Sequence, residues 1–257
     1  MNAVIALSGG VDSAAAALLL KQSGYNCIGV TMRMISNDER FARELADAKA
    51  VAKKLGIEHE TIDVRKFFND TVVIPFAKKY LEGSTPNPCV ICNREIKFAA
   101  LAAYAEKKGI QHIATGHYAR TVHDAQSSRR MLLKAKDESK DQSYVLHSLQ
   151  QDVVNRLLLP VGSMSKAEVR SLAVTCGLTI ANKTDSQDIC FVPDGDYASY
   201  IETLTGRHSR PGFFIDTEKN ILGMHGGVIR YTVGQRKKLG VSSTAKLYVK
   251  SKDIIRN

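Results

Sequence analysis

The chain has 257 residues, 44% of them hydrophobic, with 36 basic against 26 acidic residues and a net charge of +10. That apolar content supports a real core, in one large domain or a large one with a small one, and the mixed 24% charge excludes a disordered chain. No apolar run reaches the ~18–20 residues of a membrane span. The start MNAVIAL has no basic leader or apolar export segment, so the sequence predicts a cytoplasmic protein without membrane association. Five cysteines without an export signal read as catalytic or metal-bound thiols rather than structural disulfides. The basic excess is a weak pointer to a polyanion such as nucleic acid.

Along the chain, Ala3–Leu7 reads as a buried strand, and Val11–Ser23 as an Ala/Leu-rich helix stopped at Gly24. Cys27–Met32 is a second strand, Asp38–Leu55 a helix ending at Gly56, Glu58–Asp63 a third strand and Lys66–Leu81 a third helix. Gly83–Cys89 holds two prolines and a glycine and must be a loop. Asn93–Lys108 is a helix and His112–Thr115 a strand. Strands separated by helices imply parallel βαβ units, hence an α/β fold with a doubly wound parallel sheet and chemistry at the carboxyl ends of its strands. Beyond Arg120 the pattern changes to a polar, basic loop at Asp124–Arg130 and a strand at Met131–Ala135. Asp141–Leu149 and Ser165–Cys176 read as helices, the second with Ser165 and Glu168 as a capping box. From Pro211 the chain is glycine-rich with β-like stretches at Gly212–Asp216, Ile221–Gly223, Val228–Tyr231 and Lys246–Lys250. The expected domains are 1–208, catalytic, and 209–257, small and β-rich.

Residues Ala6, Leu7, Ser8, Gly9, Gly10, Val11, Asp12 and Ser13 form a strand, a glycine turn and a helix start. Two glycines let backbone approach an anion, amides at a helix start point at it, and the helix dipole favours negative charge. Ser8 and Ser13 add hydroxyls. No Gly-Lys-Ser/Thr follows, so this is not a Walker loop. Asp12 is a candidate Mg²⁺ ligand bridging phosphate oxygens; the plainer alternative is a helix-capping carboxylate. SGGVDS in this position resembles the loop of the PP-loop ATP pyrophosphatases. Such enzymes adenylate a carbonyl-type oxygen, release pyrophosphate and let a nucleophile displace AMP.

Thr85–Phe98, TPNPCVICNREIKF, sets Cys89 and Cys92 as a C-x-x-C at a helix start, where a thiolate is favoured. Cys190 lies in TDSQDICF, Thr184–Phe191, and can meet them only through the fold. These motifs occur in order with ATGHYAR (Ala114–Arg120), KDQSY (Lys140–Tyr144) and YTVGQRKKLG (Tyr231–Gly240). Together they resemble the bacterial tRNA-specific 2-thiouridylase (MnmA/TrmU) family over nearly the whole chain. The resemblance implies ATP-dependent adenylation of the C2 oxygen of wobble uridine 34 in tRNAs for Lys, Glu and Gln, then sulfur insertion. It implies that Cys190 carries a persulfide from a sulfur donor, such as a cysteine desulfurase or sulfide. Cys92 would attack that persulfide or form a disulfide with Cys190. Met32 and Gly116 would line the adenosine pocket. Asn87, Pro88 and Cys89 would approach the target base, and His117, Lys140, Asp141 and Gln142 would contact tRNA. Bland alternatives stand beside these: Met32 as core filler, Gly116–His117 as a tight turn, Lys140–Asp141 as a surface ion pair. Gln235–Lys238 reads equally as a tRNA contact or a solvated basic face.

Two departures from the family pattern stand out. Many members carry Asp where this chain has Cys89. Cys89, Cys92 and Cys190 then offer three soft ligands for a [4Fe–4S] cluster with one open iron that could deliver sulfide; alternatively Cys89 is a spectator of a persulfide route. Cys27 and Cys176 read as inert. The family's C-terminal β-barrel is absent beyond Gly240 or present only as its first strand, so the sequence reads either as truncated or as a short form with a smaller tRNA footprint, for which weaker tRNA binding or a helper protein is expected. Competing readings are another PP-loop adenylating synthetase, which has no use for the three thiols, and a non-catalytic tRNA- or cluster-binding module.

Overall fold

A computed structural model describes residues 1–178, 180, 188–243 and 245–257. Thr184–Gln187 of the TDSQDICF motif therefore lie outside the described residues, whereas Asp188–Phe191 lie within them. The chain forms two compact units: one of Met1–Thr71 with Cys89–Ser186, the other of Val72–Pro88 with Gln187–Asn257. Residues 188–208, grouped by their motifs with the catalytic domain, cluster with the C-terminal unit.

The larger unit is an α/β sandwich. Its elements are β1 (Asn2–Ala6), α1 (Val11–Gln22), β2 (Asn26–Arg33), α2 (Asp38–Leu55), β3 (Glu58–Asp63) and α3 (Arg65–Phe68). The chain leaves this unit after Thr71; α4 (Ile74–Leu81) belongs to the smaller one. On its return come α5 (Pro88–Ile91), α6 (Phe98–Lys107), β4 (His112–Ala114), β5 (Ala119–Asp124), β6 (Arg129–Lys134), α7 (Gln151–Arg156), β7 (Leu157–Leu158) and α8 (Lys166–Thr175). The sheet order is β3-β2-β1-β4-β7, every pairing parallel. Period-2 alternation on β1 explains the two layers. Ala3, Ile5 and Leu7 face a core with α1, α2 and α8, while Val4 faces another with Phe98, Leu101 and Ala105 of α6. Helices thus cover both faces, as the predicted doubly wound sheet requires. The strand order reverses between β1 and β4, so the loops following them open the crevice where such sheets bind ligands.

The sequence reading needs correction at five segments. Asp141–Leu149 is not a helix but short 3₁₀ turns at Glu138–Lys140 and Ser143–Val145. The cause is the Asp141 carboxylate, which accepts from Ala135 N (2.8 Å), Ser143 N (3.3 Å) and Ser143 Oγ (2.7 Å) and so competes with a helical ladder. The expected loop at Asp124–Arg130 ends earlier, because Arg129 and Arg130 already pair in β6. The single helix expected over Lys66–Leu81 contains a π turn at Asn69–Val73, just ahead of Pro75, whose missing N–H interrupts the ladder. In the smaller unit Val228–Arg230 is a 3₁₀ turn, and Lys246–Lys250 is not a strand, although Val249 exchanges backbone bonds with Gly234 and Gln235. That unit packs α4 against α9 (Tyr197–Thr205) beside a hairpin of β8 (Gly212–Ile215) and β9 (Ile221–His225).

Candidate functional site

The loop after β1 is held open by short-range bonds. Leu7 N donates to Val30 O (2.8 Å), and the Thr31 hydroxyl donates to Leu7 O (2.7 Å), fixing the strand end against β2. Ser13 Oγ donates to Gly10 O (2.9 Å) and lies 3.2 Å from both Ser8 N and Ser8 Oγ. Gly10, the N-cap of α1, carries no side-chain cap, so the first-turn amides of a twelve-residue helix have no side-chain acceptor at the cap. Gly9 has φ +71°, and a Cβ there would sit 2.5 Å from the Glu44 carbonyl oxygen of α2. Gly116, in the loop after β4, lies flat on the start of α1, where a Cβ would meet Asp12 C and Ser13 N at 2.6 Å. Two glycines from different loops thus let backbone close around one helix start. Met32, next to last in β2, is half-buried against the core cluster that includes Val4 and Ile113.

Asp12 is not bare. Lys166 Nζ, from the first residue of α8, lies 2.7 and 2.8 Å from its two carboxylate oxygens, and the Tyr118 hydroxyl donates to Oδ1 at 2.8 Å. The candidate Mg²⁺ ligand thus carries an ammonium and a phenol hydroxyl on its carboxylate. Sequence reasoning missed Lys166, Tyr118 and Thr31. Tyr118 stands inside ATGHYAR, and Lys166 follows the Ser165 cap, but only the fold brings Lys166 to a carboxylate 154 positions away.

His117 extends the same loop. Its Nδ1 lies 2.8 Å from Thr115 Oγ1, and its ring stacks at 5.9 Å on Phe98. Burial, with Lys97 nearby, pushes its pKa down to about 3, so the imidazole is neutral. Gln142 pins this loop: its amide oxygen accepts from Tyr118 N (2.9 Å) and its N–H donates to Tyr118 O (2.8 Å). Gln142 and Asp141 therefore shape the site, while Lys140 ends a 3₁₀ turn beside them.

Phe98 joins this loop to the thiol segment. Pro88–Lys107 is one helical run with a π turn at Cys92–Lys97, a feature that recurs at functional sites. Cys89 is exposed and Cys92 is buried at 5% exposure. Asn93, 1% exposed, donates through Nδ2 to Val145 O (3.2 Å), and its Oδ1 is buried without a hydrogen-bond partner. Asn87 is exposed and Pro88 buried. In the smaller unit Cys190 is half-buried, followed by Phe191, whose ring packs on Phe76 (5.2 Å) and Tyr200 (5.8 Å). Burial and the neighbouring Cys190 push the Tyr200 hydroxyl upward. Gln235 accepts from Thr232 N (3.0 Å) while Arg236–Lys238 are exposed. Cys27 is buried with its thiol pushed upward by burial, as an inert core residue should be.

Among the described residues no group of three or more His, Cys, Asp or Glu side chains is placed to hold a metal ion. Of the expected ligand set, Cys89 and Cys92 lie in the larger unit and Cys190 in the smaller. Among the described residues no helix is long and apolar enough to cross a membrane.

Residues 1–194 match the profile of a tRNA methyl transferase HUP domain and residues 200–257 that of a tRNA methyl transferase PRC-barrel domain. A protein of a Thermoanaerobacter species named "tRNA-specific 2-thiouridylase MnmA 2" is 46% identical over 98% of this chain and 72% of its own length. The "tRNA-specific 2-thiouridylase MnmA" of Clostridioides difficile is 43% identical over 96% of this chain and 70% of its own. A solved 4-thiouridine synthetase–RNA complex with bound ATP shares the fold at 18% identity, with a TM-score of 0.50 over 71% of this chain and 42% of that one. With its strand order, its glycine-built loop and these matches over nearly its full length, the chain belongs to the tRNA-specific 2-thiouridylase (MnmA) family.

Proposed function

We propose that the chain is an ATP-dependent tRNA-uridine 2-sulfurtransferase acting on wobble uridine 34 of tRNAs for Lys, Glu and Gln. The uridine C2 oxygen attacks the α-phosphorus of ATP and pyrophosphate leaves, converting a poor leaving oxygen into AMP. Residues 6–13 and Gly116 hold the nucleotide, Met32 borders its adenosine, and Mg²⁺ enters with the nucleotide as part of the substrate. The observation that carries this reading is the start of α1, closed in by Gly9 and Gly116, in the same unit as Cys92 and linked to its helical run by the Phe98–His117 contact.

Sulfur follows the two-cysteine route. Cys190 receives a sulfane sulfur from a persulfide donor such as a cysteine desulfurase. The Cys92 thiolate attacks Cys190 Sγ, forming a Cys92–Cys190 disulfide and releasing hydrosulfide. That sulfide attacks C2, and AMP leaves with the original oxygen. Two thiols are oxidised as the sulfane sulfur is reduced, so a thiol reductant must reset the pair. Free sulfide would bypass Cys190. Asn87–Cys89 border the base, with Cys89 a bystander, and neutral His117 and Lys140 lie on the tRNA side. Residues 1–208 act as the catalytic domain in the cytoplasm.

The test incubates the chain with ATP, Mg²⁺, a persulfide donor, a thiol reductant and unmodified tRNA-Glu, and measures AMP and 2-thiouridine. Equal yields of both are expected, with equal activity in iron-free protein. ATP turnover without thiolated tRNA, or activity that follows iron content, would overturn the reading.

A further inference from the structure

The glycine loop has a charge problem. Between Leu7 and Ser13 it contains no cation and one carboxylate, Asp12. A helix start contributes only about half a positive charge, against the several negative charges of a triphosphate. A Walker loop solves this with its own lysine; this loop has none. The structure supplies one from elsewhere. Lys166 opens α8, whose start is fixed by the reciprocal Ser165–Glu168 capping box and by Lys166 N donating to Asp137 Oδ2 (3.2 Å). Its side chain is 12% exposed, lies over the Tyr118 ring at 5.8 Å, and ends on the Asp12 carboxylate.

Resting on the nucleotide reading above, we propose that Lys166 is the phosphate-contacting cation of the ATP site, parked on Asp12 until nucleotide arrives. Binding is then an exchange of partners: the ammonium passes from carboxylate to phosphate oxygens. Leaving a partly buried carboxylate without a partner is costly. Tyr118 removes much of that cost, because its hydroxyl still donates to Asp12 Oδ1 after Lys166 has moved. The exchange also leaves Asp12 available to the cation that accompanies ATP. Lys166 is thus a ligand of the nucleotide, and Asp12 and Tyr118 are its positioning residues.

The test measures binding of ATP and of adenosine to the full chain for the parent, K166M, K166R and D12N, with thermal melting as the check on folding. Loss of a charge-assisted hydrogen bond predicts about 10–100-fold weaker ATP binding in K166M. Adenosine affinity should be unchanged, and K166R should recover part of the loss. D12N, which removes the carboxylate charge that holds the ammonium, should bind ATP without Mg²⁺ at least as tightly as the parent. K166M binding ATP like the parent, or losing ATP and adenosine alike while melting normally, would overturn the assignment, and so would a parent chain that binds no ATP. A parent that binds ATP but makes no 2-thiouridine would refute the sulfurtransferase reading and leave this one standing.

Discussion

Two helix starts in the larger unit carry the chemistry, and they are built in opposite ways. The start of α1 is open: a regular helix buried on all sides from Ala14 to Ala17, capped only by Gly10, its cradle shaped by two glycines that admit no side chain. The run from Pro88 is closed: a proline first turn, then a π turn that places Cys92 at 5% exposure while Cys89, one turn earlier, stands in solvent. A binding site gains from being finished before its ligand arrives, since little ordering remains to be done on binding. A reactive thiol gains from cover, which keeps it from oxidants and stray alkylators until it is needed.

The largest effect should fall on the closed start. Cys92→Ser should lower 2-thiouridine formation by on the order of a thousandfold or more while ATP binding stays at the parent value; thiolation that survives would remove Cys92 from the reaction. At the open start the order reverses. Gly116→Ala puts a methyl group 2.6 Å from the backbone of Asp12 and Ser13. Overpacking of about 1–3 kcal/mol should weaken ATP roughly tenfold or more by direct binding measurement, without touching the reactivity of Cys92. Unchanged ATP affinity would mean that the two loops are not packed as described.

A smaller effect comes from His117, where the two regions meet. Its folded pKa is depressed to about 3, from an ordinary 6.5, chiefly by burial. The unfolded chain therefore takes up a proton that the folded chain refuses. The stability present above pH ~6.5 is lost as pH falls from there toward 3. His59, His112 and His225, also lowered mainly by burial, act in the same direction. Melting temperature should fall over that window, and His117→Gln should flatten the slope; an unaltered slope would contradict the depressed value. The smallest effect is kinetic: in the absence of tRNA, Cys89 should react with a bulky alkylating agent before Cys92, read by peptide mass mapping. Equal rates would show that the π turn does not shield its thiol.

The open start was legible in the sequence because its devices are local. SGGVDS follows an apolar run and precedes an Ala-rich one, and Gly9 and Gly10 stand where a tight turn needs them. The parallel sheet was legible from strand–helix alternation. Lys166 was not, because the Asp12–Lys166 pair spans 154 positions and a lysine after a capping serine looks like any solvated first-turn residue. Asp141 misled for a related reason: its neighbours have helical spacing, but its carboxylate captures the amides of Ala135 and Ser143 and breaks the run into turns. The cluster reading was less legible, because three cysteines at suggestive spacings are a list of ligands and not a geometry: Cys89 and Cys92 fall in the larger unit and Cys190 in the smaller.

The central claim is that ATP activates the uridine C2 oxygen and that sulfur then replaces it. Substrate tRNA labelled with ¹⁸O at C2 of uridine 34, followed by mass spectrometry of the AMP formed, tests this most directly. One labelled oxygen in each AMP, matched by one 2-thiouridine, is the predicted result. Unlabelled AMP alongside 2-thiouridine would contradict it.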